Sequence, residues 1–202
     1  GSSSDNSNVV QVYDPSRDRW SSAPSMNDLR AWLGGAAANG RIAAVGGVGR
    51  GYLASIETLR PGSGWSRLGA ALPSGRYLLG AGAWGRWIVA IGGDAWSGSS
   101  NPRYNEILLI DPAEGRVQTV GHLPKAASGI STAFLGDDLF LVFDGALWRL
   151  DPKTWDIRRL IDLPKGAGGH DSAVVATDEG VFVAGGGSGG GPHVREAWFY
   201  CK

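Results

Sequence analysis

The sequence predicts an all-β fold built from about four four-stranded antiparallel sheets. Three observations predict it: an apolar run ending in a glycine pair recurs, a proline-containing turn recurs in step with it, and tryptophans are scattered among many glycines. Glycine accounts for 33 of 202 residues and tryptophan for nine, where the usual glycine share is about 7%. Glycine suits tight turns and aromatic residues suit strands, so many short strands are expected.

The apolar run reads IAAVGG at 42–47 and IVAIGG at 88–93, 46 residues later. The proline turn provides a second marker, in which the residue before proline recurs at intervals of 46, 51 and 40 residues. These turn residues are Asp14, Arg60, Asp111 and Asp151. A large side chain follows each turn five or six positions later, at Trp20, Trp65, Val117 and Ile157. Markers that stay in step along the chain indicate a structural repeat, which an ordinary β-sandwich would not require.

Each repeat contains four segments with the composition of strands. A strand of small residues comes first, a strongly apolar strand ends in the glycine pair, a third runs into the proline turn, and a fourth carries the large side chain. Four antiparallel strands every 40 to 50 residues form one blade of a β-propeller. We expect residues 1–7 to be a tag or linker and 8–202 the propeller, with units at about 30–75, 76–127, 128–168, and a terminal unit of 169–202 with 8–29.

The stretch VYDPSRDRW (12–20), followed by IAAVGG, resembles the kelch repeat, whose pattern joins an apolar strand, Gly-Gly, a Tyr-Asp-Pro-like turn and a later tryptophan. The resemblance spans residues 8–202 and implies a kelch-type propeller. The third unit departs most, because Phe143-Asp144 replaces the glycine pair and Val117 precedes it at the tryptophan position.

The predicted strand number does not match a closed ring of four blades. The pattern predicts seventeen strands, whereas four complete blades contain sixteen. The chain therefore forms either a closed four-blade ring with one displaced terminal strand or part of a larger propeller. An unpaired blade edge recruits other strands, so we expect self-association or pairing with a complementary propeller fragment.

Charge and composition exclude several classes of function. Lys plus Arg equals Asp plus Glu at 19 each, so no basic surface for nucleic acid is predicted. No apolar run reaches the roughly 18 residues of a membrane span. The single cysteine, Cys201, leaves the compartment open, secreted and periplasmic locations included. The three histidines have no paired spacing, so we expect neither a metal nor a cofactor.

Two arginines occupy equivalent places in successive units. Arg30 and Arg76 each lie 16 residues before a glycine pair, which places both near the mouth of the central channel. Converging guanidinium groups could hold a carboxylate or phosphate; alternatively, each bonds to a neighbouring blade. At the same mouth, His170 and Asp171 could exchange protons or form a solvent-facing turn.

The loops after the glycine pairs form the other candidate binding surface. The loops at 47–54 and 92–106 contain aromatic and charged residues together, a composition typical of recognition surfaces. The candidates are Tyr52, Asp94, Trp96, Arg103 and Tyr104. The glycine-rich stretch 184–193 lacks the following helix and lysine of a phosphate loop, and is interpreted as a connecting loop.

No catalytic constellation is visible, so we name no catalytic residue. The leading hypothesis is a non-catalytic binding module that presents these loops to a protein or glycan partner. The alternative follows from the resemblance: kelch-type sialic acid mutarotases process sugar acids, and Arg30 with Arg76 could hold such a carboxylate.

Overall fold

The protein is all β in its computed structural model, which describes residues 6–96, 101–165, 167, 170–187 and 195–201, without the side chain of Asp171. No helix occurs among these residues. The predicted all-β class is confirmed. The seventeen strands of the described chain, as many as predicted, are β1 Val10–Asp14, β2 Arg19–Ala23, β3 Gly34–Ala38, β4 Arg41–Val45, β5 Ile56–Leu59, β6 Trp65–Arg67, β7 Gly80–Trp84, β8 Trp87–Ile91, β9 Glu106–Asp111, β10 Arg116–His122, β11 Ser131–Leu135, β12 Asp138–Phe143, β13 Ala146–Leu150, β14 Ile157–Asp162, β15 His170–Thr177, β16 Gly180–Gly187 and β17 Ala197–Cys201.

The strands form four successive antiparallel sheets that correspond to propeller blades. Blade 1 is β3–β6, blade 2 is β7–β10 and blade 3 is β11–β14, each with its strands paired in chain order. Blade 4 has three strands, β15–β17, and the first two strands of the chain form a separate hairpin, β1–β2. The two parts of the expected terminal unit, 8–29 and 169–202, are therefore separate sheets in this structure.

The first strand of each blade lies nearest the common axis. β3 packs against β7, β7 against β11, and β11 against β15. Their residues are small in blades 1 and 2, because successive strands approach closely: a Cβ on Gly34 would lie 2.8 Å from the Cβ of Ala81. The small-residue pattern in the sequence thus reflects crowding at the axis.

Apolar cores fill the three junctions between successive blades. One joins blades 1 and 2, around Val45, Ile56 and Ile110. A second joins blades 2 and 3, and a third joins blades 3 and 4, around Phe140 and Val183. The second strands supply buried Val, Ile, Leu and Phe to these junctions, as their continuous apolar sequences predict. Blade packing therefore provides most of the buried apolar surface.

The glycine pairs connect one blade to the next. Gly46 and Gly47 have φ angles of 62° and 98°, a region that glycine adopts without strain. A Cβ on Gly46 would stand 2.6 Å from the carbonyl oxygen of Arg76 in blade 2, and the Gly47 amide donates to that oxygen at 2.8 Å. Gly93 repeats this bond to Ala127 of blade 3 at 2.9 Å. The glycine pair is needed because the backbones of successive blades approach too closely here to leave room for a Cβ.

A tight turn between the second and third strands of blade 3 explains why the sequence lacks a glycine pair there. Phe143 pairs with Ala146, so Asp144 and Gly145 form a two-residue turn, with φ angles of 51° and 68°. Asp-Gly is a preferred sequence for such turns. Blade 3 consequently has no long loop where blades 1 and 2 have theirs, and the loop-bearing end of the molecule is uneven.

Blade 4 and the β1–β2 hairpin remain open at the two ends of the arc. In the described part of the chain, no packing of β15 onto β3 matches that between the other first strands. β17 pairs with β16 alone among the described strands. Among the described strands, blade 4 therefore has three and the hairpin two.

Candidate functional site

The candidate residues lie at one end of the propeller because the strands are antiparallel. The loops between second and third strands emerge at the same end as the segments that lead into each first strand. We call this end the loop face; among the described residues it includes 24–33, 46–55, 68–79, 92–96, 101–105 and 123–130. Tight turns occupy the opposite end. The sequence placed Arg30 and Arg76 on one face, and both lie in segments that lead into first strands at this end.

A row of backbone hydrogen bonds lines the mouth on the loop face. The Leu78 amide donates to Trp32 at 3.0 Å, and the Gly129 amide donates to Leu78 at 2.8 Å. All three residues have positive φ angles, 50° at Trp32, 53° at Leu78 and 67° at Gly129. His170 follows in the row, since a Cβ on Gly129 would clash with its Nδ1. Equivalent positions of blades 1 to 3 are thus linked, and the Trp32 side chain is directed by this strained turn.

Arg30 lies at the centre of a buried polar network in blade 1. Its side chain is fully buried and pairs with Glu57 on β5 at 2.8 Å. Its Nη1 donates to the carbonyl oxygens of Gly46 at 2.6 Å and Ser55 at 3.0 Å. Asp28 adds a second carboxylate at 3.3 Å. The guanidinium group therefore links the loop after β4 to β5, the third strand of the same blade.

Glu57 is held by donors on two sides. The amides of Asn27 and Asp28 donate to its carboxylate at 2.7 and 2.9 Å. Burial raises the pKa of Glu57, but the bonds from Arg30, Asn27 and Asp28 outweigh it, and the net pKa is lowered. Glu57 is therefore an ionised anchor for Arg30.

Arg76 repeats this arrangement in blade 2. Its side chain is fully buried, and its Nη1 donates to the Gly92 carbonyl and to Glu106 of β9, both at 3.1 Å. Tyr104 lies under the guanidinium group, with its ring centroid 3.9 Å from Cζ. Nη2 has no hydrogen-bond partner within the described residues. The predicted ligand contacts of Tyr104 and Arg76 stay predictions; in the structure the two side chains contact each other.

Among the described residues, both arginine side chains bond within their own blade, Arg30 to Glu57 and Arg76 to Glu106, and not to a neighbouring blade as the structural alternative expected. Both guanidinium groups face carboxylates within the protein, and neither side chain is exposed to solvent. The hypothesis that Arg30 and Arg76 hold a ligand anion stays a prediction. Their recurring acidic partners, 27 and 30 residues downstream, were missed in the sequence, although Glu57 and Glu106 both precede a proline turn in the third strand.

Three aromatic side chains form a continuous patch on the loop face of blades 1 and 2. Tyr52 stacks on Tyr77, with ring centroids 5.2 Å apart and planes 18° apart. Trp32 meets Tyr77 from the other side at 5.6 Å and is 37% exposed. We call Trp32, Tyr52 and Tyr77 the aromatic patch. Burial raises the pKa of Tyr77, as do Asp94 and Tyr52, while Arg103 lowers it.

The loop of blade 2 places charge beside this patch. The Asp94 backbone pairs with Tyr77, and its buried carboxylate lies 3.6 Å from Nε of Arg103. Ser128 of the next segment donates to Asp94 at 3.4 Å. Arg103 remains half exposed, and Trp96 is 57% exposed. Asp94 therefore orients the loop, whereas Arg103 and Trp96 face solvent.

His170 and Asp171 begin β15, at the blade 4 side of the mouth. His170 is partly buried, and its Nδ1 has no hydrogen-bond partner within the described residues. The Asp171 side chain and most of the predicted connecting loop at 184–193 lie outside the described residues. An acid–base role for the pair stays a prediction.

Sequence reasoning missed Trp32 and Tyr77. Both follow the arginines by one or two positions, and Trp32 shares its place in the repeat with Leu78. The direction of the side chain at the Trp32 and Leu78 position depends on a positive φ angle, a backbone feature that the residue type does not reveal. The described residues hold no group of three or more His, Cys, Asp or Glu side chains placed to bind a metal, and no helix among them is long and apolar enough to cross a bilayer.

Comparison with known proteins adds a motif to this geometry. The kelch motif matches residues 1–27, the segment that contains the Tyr13 turn and Trp20. The chain is a four-bladed β-propeller with a kelch motif. The expected resemblance to the kelch repeat is thereby confirmed over residues 1–27, and the paired arginine and carboxylate of blades 1 and 2 are internal bonds of the propeller. The curated proteins include none that matches the chain.

Proposed function

We propose that this kelch propeller is a non-catalytic binding module, and that its aromatic patch binds a protein partner. The observation that carries the proposal is the contiguity of Trp32, Tyr77 and Tyr52 across two blades. Aromatic side chains dominate binding energy at interfaces, where they offer large contact area at low entropic cost.

The patch is rigid enough to act as a preformed surface. A Cβ on Gly75 would clash with the Tyr52 carbonyl, so the loop of blade 1 lies directly on the segment that carries Tyr77. The Leu78 to Trp32 backbone bond fixes the other side. Side chains held in place before binding lose less entropy when a partner arrives.

The surroundings favour a protein over a glycan. Leu29, 47% exposed, and Trp96 add apolar surface near the loop ends, and Arg103 supplies a half-exposed positive charge. Tryptophan, tyrosine and arginine are the residues most enriched at interface hot spots. A glycan remains the other outcome that the test distinguishes.

The sugar-acid enzyme has less support from the geometry. Its proposed anion site depends on Arg30 and Arg76, which are buried against Glu57 and Glu106. A carboxylate ligand would have to compete with these internal anions. We therefore place the binding surface at the aromatic patch.

The test compares two variants of the immobilised chain. Trp32→Ala removes the outer ring of the patch, and Lys153→Ala alters an exposed residue on the opposite end. Each is probed against a soluble proteome and a glycan array. We expect a protein ligand whose affinity falls about 30-fold or more with Trp32→Ala, which corresponds to a hot spot of about 2 kcal/mol, and is unchanged with Lys153→Ala.

Two results would contradict the proposal. A protein ligand retained equally by Trp32→Ala would place the binding surface elsewhere. Sugars bound by the native chain and lost in Trp32→Ala, with no protein retained, would make the patch a glycan site.

A further inference from the structure

Strand register defines equivalent positions on the face that each blade turns toward the following blade. In blade 1, Ala43 pairs with Thr58, and Thr58 pairs with Ser66. Arg41 lies two residues before Ala43, so its side chain shares that face of the sheet. Ala43 belongs to the core that joins blades 1 and 2. Arg41, Thr58 and Ser66 therefore form the polar part of this junction.

The same positions are filled by protein side chains in the next two blades. In blade 2, the places of the arginine and the threonine are taken by Trp87 and Leu109. Leu109 is buried in the core between blades 2 and 3, and Trp87 packs against that core. In blade 3, the two places are taken by Asp138 and Arg149, which form an ion pair of 2.7 Å. Apolar packing and an ion pair therefore fill this part of the junction in blades 2 and 3.

Blade 1 has a polar cavity at the corresponding place. Its volume is about 270 Å³, slightly below the roughly 300 to 1,000 Å³ of pockets for drug-sized ligands. The cavity opens between β6 and the β9–β10 turn of blade 2, and its lining includes Arg41, Thr58, Ser66, Gly69 and residues 112–115. Its size and polar wall suit one small charged group better than a large apolar molecule.

Arg41 brings a cationic group to this cavity without a partner of its own. Its Nε is buried and makes no hydrogen bond within the described residues. The nearest acidic lining residue, Glu114, is already paired with Arg86 at 3.6 Å and with Arg116 at 3.0 Å. A buried donor of a charged group that lacks an acceptor costs free energy. An anion that entered the cavity would supply the missing acceptor.

Further hydrogen-bond donors surround the cavity. The Thr58 hydroxyl and the Gly69 amide make no hydrogen bond within the described part of the chain. The Ser66 hydroxyl reaches the Thr58 carbonyl oxygen only at the long distance of 3.5 Å. Arg67 also lines the cavity, but it is paired with Asp28. Two hydroxyl groups and one backbone amide are therefore available beside the guanidinium group of Arg41.

We propose that this cavity binds a phosphate group, with Arg41 as its cationic anchor. A guanidinium group presents its N–H donors in a planar fork that suits phosphate and carboxylate oxygens. The additional hydroxyl and amide donors favour phosphate, because its oxygens accept more hydrogen bonds than the two oxygens of a carboxylate. The group belongs either to inorganic phosphate or to a phosphate ester. The site shares no residue with the aromatic patch and is independent of the proposed protein-binding function.

Calorimetric titration of the full chain tests the proposal. The probes are inorganic phosphate, O-phosphoserine and acetate, with sodium chloride used to hold the ionic strength constant. We expect one phosphate site per chain, and acetate binding that is weaker by at least about tenfold, because acetate has less charge and fewer oxygens. The tighter of the two phosphate probes identifies the source of the group, a free ion or an ester.

Two arginine variants separate the cavity from general attraction of anions. Leu59 pairs with Ile42, so Arg60 lies beside Arg41 on the next strand; it is exposed and does not line the cavity. We expect Arg41→Gln to weaken phosphate binding at least about tenfold, the loss of one hydrogen bond to a charged group. Arg60→Gln, the matched control, should weaken it less than about twofold. Thr58→Val should weaken it at least about threefold, because it removes only a hydroxyl donor.

Several results would overturn the proposal. They are no phosphate binding by the native chain at millimolar concentrations, equal affinities for phosphate and acetate, and equal losses in Arg41→Gln and Arg60→Gln. Circular dichroism and denaturant unfolding establish that each variant is folded. If Arg41→Gln does not fold, Arg41→Lys replaces it, because lysine keeps the charge but lacks the planar fork. Unchanged phosphate binding in Arg41→Lys and in Thr58→Val together would also overturn the proposal.

Discussion

Arg30 and Glu57 form an ion pair of 2.8 Å in which both side chains are fully buried. The pair connects the segment before β3 to the third strand of the same blade, and the amides of Asn27 and Asp28 complete the coordination of the carboxylate. Removing one partner of such a pair leaves a buried charge without compensation. The pair is therefore a structural requirement of blade 1.

Arg30→Ala is expected to reduce the free energy of unfolding by about 3 to 5 kcal/mol. Arg67→Ala is the matched control, because Arg67 also contacts Asp28 but is 61% exposed, and surface ion pairs contribute only about 0 to 1 kcal/mol. Denaturant unfolding of both variants measures the difference. Equal losses would show that Arg30 carries no special structural role.

Stability should fall in acid through Glu57. Its net pKa in the folded protein is lowered from the ordinary 4.5, so its contribution is complete above that pH and is lost as pH falls through the lower folded value. Glu57→Gln should therefore be less stable at neutral pH and should lose less stability on acidification. Glu179→Gln, at an exposed turn, serves as control. A native-like pH profile in Glu57→Gln would contradict the prediction; unfolding curves between pH 7 and pH 3 decide it.

Gly46→Ala should destabilise the protein more than Gly40→Ala. Both glycines have positive φ, 62° and 66°, so both substitutions carry a backbone cost of about 1 kcal/mol. Only Gly46 also faces a backbone carbonyl at 2.6 Å from the new Cβ, whereas Gly40 has open space. The difference in unfolding free energy between the two variants isolates the cost of this contact. Equal losses of unfolding free energy in the two variants would show that the blades separate at Gly46 without a measurable cost.

Leu141→Ala should cost about 2 to 5 kcal/mol of unfolding free energy, because Leu141 is fully buried between blades 2 and 3. Leu29→Ala, at a position 47% exposed, should cost about 0.5 kcal/mol or less. Thermal and denaturant unfolding measure both. A loss in Leu29→Ala as large as in Leu141→Ala would mean that the loop face is packed, and would argue against its being a free binding surface.

Strand positions could be predicted from the sequence because they depend on short-range features. The predicted small-residue strand at 34–38 coincides with β3, and the predicted seventeen strands are the number found in the described chain. Turn residues and the composition of each strand are recognisable within a few positions. The repeat shows the same pattern several times along the chain, which supports each strand assignment. The departure of blade 3 was also visible, since Phe143-Asp144 stands where the other units have the glycine pair.

The candidate site was only partly predictable. The sequence placed Arg30 and Arg76 on one face, but it could not choose between a ligand and an internal partner for the arginines. That choice depends on Glu57 and Glu106, which reach the guanidinium groups through the pairing of distant segments. Likewise, no local signal joins Tyr52 to Trp32 and Tyr77, because their contact requires two blades to pack together.

By itself, the sequence determined the all-β class, the repeat, the resemblance to kelch propellers and the position of each strand, since these follow from turn chemistry and periodic composition. Only the tertiary structure decided that the arginines are buried, that an aromatic patch spans blades 1 and 2, and that β17 pairs with β16 alone among the described strands. The physical reason is that burial and edge pairing depend on which blades meet in space, and equivalent residues in a repeat differ only through those neighbours.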